Sequence, residues 1–240
     1  MKTRKGYKIM KYKSLAFSII FLAISTLFGQ SDKNIAVIGT GYVGLVTGAG
    51  LAEFGNYVTC ADIDQNKITM LQQGDVPIYE PGLKEVVAIN VKTGRLSFTT
   101  DVENAINQAE IIVIAVGTPS ADDGSADLRA VYSVVESIAQ NLNNHKIIVT
   151  KSTVPIGTGK QIRSLLEKKY GIKSDMFDIV SNPEFLREGT AIADFLKPDR
   201  LVIGTESDTA LKIMCEVYEP LLENGTAHVL TNVVTAETIK

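Results

Sequence analysis

From Asn34 onward, short runs of apolar, often β-branched residues alternate with longer helical stretches. The runs predict strands over 34–38, 57–61, 111–116, 146–150, 178–181, 201–204 and 227–230. Between them, helices are predicted near 42–54, 64–73, 81–91, 102–108, 127–141, 157–170 and 207–223. Several strand runs, such as Ile111-Ile-Val-Ile-Ala-Val116, are continuous rather than alternating. Strands of that kind are buried on both faces, so the pattern predicts a doubly wound, mostly parallel α/β sheet covered by helices. Residues 233–240 begin one more helix with no C-cap, glycine or proline to end it, and read as an element cut short.

The junction of the first strand and first helix carries three spaced glycines, in Ile35-Ala-Val-Ile-Gly39-Thr-Gly41-Tyr-Val-Gly44. Gly39 permits a tight turn out of the strand, Gly41 lets backbone approach a phosphate, and Gly44 lets the helix pack closely. The helix N-terminus, from Tyr42 and Val43, offers unpaired N–H groups and partial positive charge to a pyrophosphate. Asp62, ending the second strand, stands where an acid would bind ribose hydroxyls, and its charge disfavours a 2′-phosphate, so NAD is expected over NADP. The competing reading of Asp62 is a solvated turn acid or an N-cap. Asp64 reads as the N-cap of the next helix, and Lys67 as either a contact to the adenosine end or an exposed charge. The expected unit is a Rossmann-like NAD-binding domain over 34–232, preceded by a distinct segment 1–33 and followed by the start of a linking helix over 233–240.

Composition adds limits. The chain has 240 residues, 45% hydrophobic and 21% charged, enough for one or two domains with a substantial core. A net charge of −3 gives no footprint for nucleic acid. Cys60 and Cys215 lack metal-type spacing and read as buried small apolar residues; His145 and His228 lie beside predicted strands without ligand-type partners, so no metal site is expected. The N-terminal segment differs from the rest, with Lys2, Arg4, Lys5, Lys8, Lys11 and Lys13 preceding an uncharged run over 14–28. This has the three-part look of a secretory signal with a poor cleavage site, and the run is short for a transmembrane helix. An export signal, a membrane-proximal anchor and an upstream extension remain open. A nicotinamide enzyme needs a compartment that supplies its cofactor, so a cytoplasmic catalytic domain is expected.

Ligands of such sheets bind beyond the carboxyl ends of the strands. Three loops map there: Gly117-Thr118-Pro119-Ser120 running on to Asp127, Lys151-Ser152-Thr153-Val154-Pro155-Ile156-Gly157-Thr158, and Asn182-Pro183-Glu184-Phe185-Leu186-Arg187-Glu188-Gly189-Thr190. Their hydroxyls and glycines suit a crevice for phosphates and sugars. Ordinary turn chemistry, with Asp127 and Asn182 as N-caps, is the plainer reading of each loop alone.

These loops, with the glycine segment through Asp64, Tyr79-Glu-Pro-Gly-Leu83, the segment 181–204 and the final Thr235-Ala-Glu-Thr-Ile-Lys240, resemble the UDP-glucose 6-dehydrogenase family, within the nucleotide-sugar dehydrogenases. Lys197-Pro-Asp-Arg200 looks more like the UDP-glucose branch than the GDP-mannose branch. The resemblance implies oxidation of C6 of UDP-glucose from alcohol to carboxylate with two NAD, through a cysteine-bound thiohemiacetal and thioester. It implies that Glu184 works through water in acid–base and hydrolytic steps, that Glu188 supports it and touches the cofactor, and that Thr118 positions the catalytic water and also contacts the cofactor. Phe185, Leu186 and Arg187 match the loop that contacts the nucleotide sugar, and Thr153 matches a residue beside the nicotinamide. Lys240 matches a lysine that contacts substrate and stabilises the oxyanion developing at C6. The resemblance also implies a homodimer built through the linking helix. The family's nucleophile lies in a G-x-C-x-P-K-D-like loop that these residues do not contain, and neither Cys60 nor Cys215 matches it. The expectation is therefore NAD binding without completed oxidation. A UDP-N-acetylmannosamine or GDP-mannose dehydrogenase and a non-catalytic dinucleotide-binding module are the alternatives.

Overall fold

The computed structural model describes residues 32–240, so the expectations for the basic and apolar N-terminal segment, up to Ser31, lie outside the described residues. Strands β1 (Asn34–Ile38), β2 (Tyr57–Ala61), β3 (Leu96–Thr99), β4 (Ile111–Ile114), β5 (Lys146–Thr150), β6 (Phe177–Ser181), β7 (Leu201–Thr205) and β8 (His228–Thr231) form one sheet in the order β3-β2-β1-β4-β5-β6-β7-β8. The first six run parallel, β7 pairs antiparallel with β6, and β8 runs parallel to β7. Strand order reverses between β1 and β4, which opens a crevice at their carboxyl ends. The predicted doubly wound, mostly parallel sheet is the observed one.

Alternation along β1 divides the core. Ile35 and Val37 face a layer built from α1 (Tyr42–Glu53), α2 (Gln65–Gln72), α3 (Leu83–Lys92), α7 (Ala191–Leu196) and α8 (Asp208–Val217). Ala36 and Ile38 face the other layer, from α4 (Val102–Gln108), α5 (Arg129–Gln140) and α6 (Thr158–Ser164). The continuous run Ile111–Ile114 is buried at every position, as its pattern predicts. Lys146 is wholly buried inside β5 because its ammonium donates to Ala109 O at 2.7 Å and Asn144 Oδ1 at 2.8 Å, beyond the C-terminus of α4, where a cation is favoured.

Some boundaries differ from expectation. β3 is a four-residue edge strand with one covered face, too short to stand out from its polar neighbours. The helix expected over 81–91 starts at Leu83, because Gly82 is left-handed (φ 81°) and caps it. The stretch 157–170 is α-helical to Ser164 and then π-helical over Leu165–Lys169. The stretch 207–223 breaks at Tyr218 before α9 (Glu219–Glu223), with Pro220 in its first turn. α7 lies where no helix was expected, just after the loop that ends at Thr190; Thr190, its cap, makes no side-chain cap bond. The last helix, α10, spans Val233–Ile239.

Candidate functional site

The glycine loop leaves β1 at the strand reversal. Gly39 is left-handed (φ 102°), and a Cβ there would lie 2.8 Å from Ala115 O in the neighbouring loop. A Cβ on Gly44 would drive into the Gly39 carbonyl, so the helix rests directly on the turn. Gly41 is different: a Cβ there meets nothing within 4 Å, so protein packing does not demand glycine. The open space lies before the N-terminus of α1, which no side chain caps and which holds no acid in its first turn.

Asp62 follows β2 and is held by three hydrogen-bond donors. Its Oδ2 accepts Thr40 N–H at 2.7 Å and Thr40 Oγ1–H at 2.8 Å, and its Oδ1 accepts Asp64 N–H at 3.0 Å. Burial alone would raise this carboxyl, but those three donors and Lys67, 3.9 Å away, hold it below its ordinary value. Asp62 is thus an ionised acceptor whose Oδ1 keeps a free lone-pair direction. Asp64 caps α2 as predicted, accepting from Asn66 and Lys67 N–H. Gly39, Gly41, Asp62 and Lys67 line one cleft of about 700 Å³, closed on the far side by Val116, Gly117 and Ser133.

The later loops converge beside it. Thr118 Oγ1 donates to Thr153 O at 2.7 Å, and Ser152 Oγ to Val116 O at 2.6 Å, which ties the loops after β4 and β5 together. Glu184 follows β6; its Oε2 accepts Leu186 N–H at 2.7 Å and its Oε1 accepts Lys240 Nζ–H at 2.6 Å. Lys240 also donates to the Glu184 carbonyl at 2.6 Å. Arg187 is held in a bidentate pair with Asp194, at 2.6 and 3.1 Å, which holds that carboxyl down at about 2. Glu184, Phe185, Leu186 and Arg187 line a second, small cavity of about 60 Å³, where the Arg200 guanidinium stacks 4.1 Å from the Phe185 ring centre.

Not every predicted residue joins these cavities. The Tyr42 side chain turns away from the phosphate side and donates to Glu80 Oε2 at 2.6 Å. Val43 and Gly44 lie in the first turn of α1. Glu188 is exposed on its loop, near enough to Tyr42 to help raise the phenol, which burial first of all pushes up. Asn182 is no N-cap: no helix follows it, and its buried amide accepts Lys151 Nζ–H at 3.0 Å and Tyr218 O–H at 2.7 Å while donating to Val202 O at 2.7 Å. Asp127 sits one residue before the actual cap, Leu128, and accepts Arg129 N–H at 3.0 Å. Cys60 is buried, and burial pushes its thiol up to about 12, far from a nucleophile's range; Cys215 is half-buried and raised for the same reason. His145 pairs with Asp178 at 3.2 Å, and His228 contacts Thr226 O at 3.1 Å.

Sequence reasoning missed two site residues. Glu237 of α10 is buried and accepts Gly157 N–H at 2.6 Å and Gly159 N–H at 2.7 Å, hooking this helix to the N-terminus of α6 one turn before Lys240. Lys151 is buried against the Phe195 and Tyr218 rings, 5.6 and 5.9 Å from their centres, and lines the Glu184 cavity. The signal was a charge directly after the Ile147-Ile-Val-Thr150 end of β5. Burial pushes the Lys151 amine down to about 8; the Glu184 carboxylate opposes that shift and Lys240 adds to it. An amine lowered by folding costs stability below pH 8, and the cost is relieved as pH rises from about 8 to the ordinary lysine value near 10.4. Lys151→Met is therefore expected to raise the melting temperature at pH 7, with the gain shrinking toward pH 10; melting curves of both proteins across that range check it.

A glycine cradle at the strand reversal of a doubly wound parallel sheet is the arrangement of a Rossmann-like dinucleotide-binding domain. The sequence matches the profile of the UDP-glucose/GDP-mannose dehydrogenase family, NAD binding domain, over residues 33–222, and the chain belongs to that family. It is 50% identical over 208 residues to UDP-glucose 6-dehydrogenase TuaD of Bacillus subtilis, covering 87% of this chain and 44% of that protein. It is 48% identical over 210 residues to UDP-glucose 6-dehydrogenase of Rhizobium meliloti, covering 86% of this chain and 48% of that one. Among solved structures, a UDP-glucose dehydrogenase from Pyrobaculum islandicum superposes with a TM-score of 0.81 at 38% identity, over 88% of this chain and 49% of that one. A ternary complex of GDP-mannose dehydrogenase from Pseudomonas aeruginosa superposes with a TM-score of 0.82 at 35% identity, over 86% and 48%. The chain thus spans about half the length of these relatives. Among the described residues, no helix is long and apolar enough to cross a membrane.

Proposed function

We propose that this chain is the cofactor-holding half of an NAD-dependent UDP-glucose 6-dehydrogenase. The observation that carries the reading is the Glu184–Lys240 pair, held at 2.6 Å on the same sheet edge as the glycine cradle. The cradle suits NAD, because Gly41 leaves an open approach to an uncapped helix N-terminus and Asp62 presents an ionised acceptor. Gly39, Gly41 and the first turn from Tyr42 to Gly44 would hold the pyrophosphate, Asp62 the ribose hydroxyls and Lys67 the adenosine end. Thr118, Thr153 and Glu188 would border the nicotinamide end. Bound there, NAD supplies a hydride acceptor.

The chain's own residues supply orientation and proton handling. Leu186 N–H and the Lys240 ammonium aim the Glu184 carboxylate, which takes up a proton through a water. Thr118 places that water. Lys240 brings a cation to an oxyanion forming at C6. Phe185, Leu186 and Arg187 bind the nucleotide sugar. Such an enzyme would be a cytoplasmic homodimer joined at α10. A GDP-mannose dehydrogenase is the second reading, favoured by the superposition on that enzyme.

The purified chain, given NAD and either sugar nucleotide, tests this. UDP-glucose should bind more tightly than GDP-mannose, and NADH should not rise above background. Tighter GDP-mannose binding would reverse the substrate assignment. Robust NADH formation would contradict the need for a nucleophile beyond Cys60 and Cys215.

A further inference from the structure

The segment Tyr79-Glu-Pro-Gly-Leu83 belongs to neither cavity, yet it holds a buried carboxylate. Glu80 is 4% exposed. Its Oε1 accepts Ala191 N–H at 2.6 Å. Its Oε2 accepts Gly189 N–H at 2.9 Å and the Tyr42 hydroxyl at 2.6 Å. No lysine or arginine among the described residues forms a salt bridge with it. Burial alone would raise this carboxyl; the Tyr42 hydroxyl and the N–H groups of Gly189, Ala191 and Ile192 outweigh it and hold the group below its ordinary value. A buried anion satisfied by neutral donors alone keeps its place only while each donor stays aimed at it.

Those donors come from two places. Tyr42 is the first residue of α1, the helix that rises from the glycine loop. Gly189 and Ala191 close the loop that carries Glu184 and Arg187, and Gly189 is left-handed (φ 89°) so that its N–H turns inward. The Tyr42 hydroxyl also lies 3.2 Å from the Arg187 carbonyl, which accepts Thr190 N–H at 3.1 Å. One carboxylate therefore pins the start of the cofactor helix and the end of the Glu184 loop, partners more than a hundred residues apart on the loop side.

We propose that Glu80 is a positioning residue, fixing the 184–191 loop against the glycine-loop helix so that the two cavities keep a constant relation. What the loop binds rests on the reading given under Proposed function; the pinning itself does not. Glu80→Gln replaces one acceptor oxygen with an NH₂ that faces other donors. It leaves the glycine turn untouched.

The test compares Glu80→Gln with the parent 240-residue chain by amide hydrogen exchange and by calorimetry with NAD and UDP-glucose. Exchange at Gly189 and Ala191 should rise at least about tenfold, with core amides of β4 unchanged. Affinity for UDP-glucose should fall about tenfold or more while affinity for NAD changes less than about threefold, since 1.4 kcal/mol corresponds to a factor of ten. Unchanged exchange at both amides would overturn the proposal. So would a parallel loss of NAD affinity and of β4 protection, which marks general destabilisation. If the parent chain binds no UDP-glucose, the substrate reading fails and exchange alone decides the pinning. If Glu80→Gln does not fold, Glu80→Asp, which keeps the charge and draws it back by one methylene, is judged by the same split.

Discussion

Gly44→Ala is expected to abolish measurable NAD binding and to lower the melting temperature by about 6–12 °C. The added methyl would overlap the Gly39 carbonyl oxygen, and the Ala115 side chain lies 3.3 Å away on the other side. Both neighbours belong to the crevice, so relief requires α1 to lift from the turn. Overpacking of that kind costs about 3 kcal/mol, and a domain of this size loses about 2–4 °C per kcal/mol. Gly41→Ala separates binding from packing: its Cβ meets no protein atom and its φ of −70° suits alanine, so the melting temperature should hold. NAD affinity should still fall about tenfold or more, because the methyl fills the approach to the helix N-terminus. Equal melting losses in the two variants would contradict this division of roles.

Asp62→Ala carries the second large effect. It strips an acceptor from Thr40 N–H, Thr40 Oγ1–H and Asp64 N–H, and removes the charge that would meet ribose hydroxyls. A hydrogen bond to a charged group is worth about 1.5–3 kcal/mol, so NAD affinity should drop about 10–100-fold. NADP gains from the lost repulsion, so the preference should narrow or reverse. The turn-acid reading predicts something else: lower stability with the NAD-to-NADP ratio unchanged. Paired titrations with both cofactors decide. Because the folded Asp62 carboxyl lies below its ordinary value, its charge is present at neutral pH and persists below pH 4. Asp62 therefore keeps its charge between pH 8 and pH 5, and any narrowing of the parent chain's preference over that range comes from the NADP 2′-phosphate, whose second ionisation lies near about 6.

Much of this was readable in the chain because its cues are local. A strand, a turn needing φ > 0 and a close helix contact must follow one another within ten residues, so Gly39 and Gly44 declare themselves. The apolar run at Ile111–Ile114 likewise announces a strand covered on both faces. The misses are long-range. Asn182 has the residue type of a cap, and only the packing of Lys151 and Tyr218 around it shows a buried bridge. Glu80 and Glu237 each satisfy backbone donors about 80 to 110 residues away, a pairing no periodicity encodes. β3 and α7 are held by tertiary contacts rather than by their own four or six residues. The side chain of Tyr42 joins the Glu80 bridge, a contact that no local pattern marks.

The central claim is that the crevice between β1 and β4 holds NAD through the glycine turn and Asp62. Calorimetric titration of the purified 240-residue chain with NAD and with NADP tests it most directly. The account predicts one saturable site that takes NAD at least about tenfold more tightly than NADP. Equal affinity, a preference for NADP, or no binding of either would contradict it.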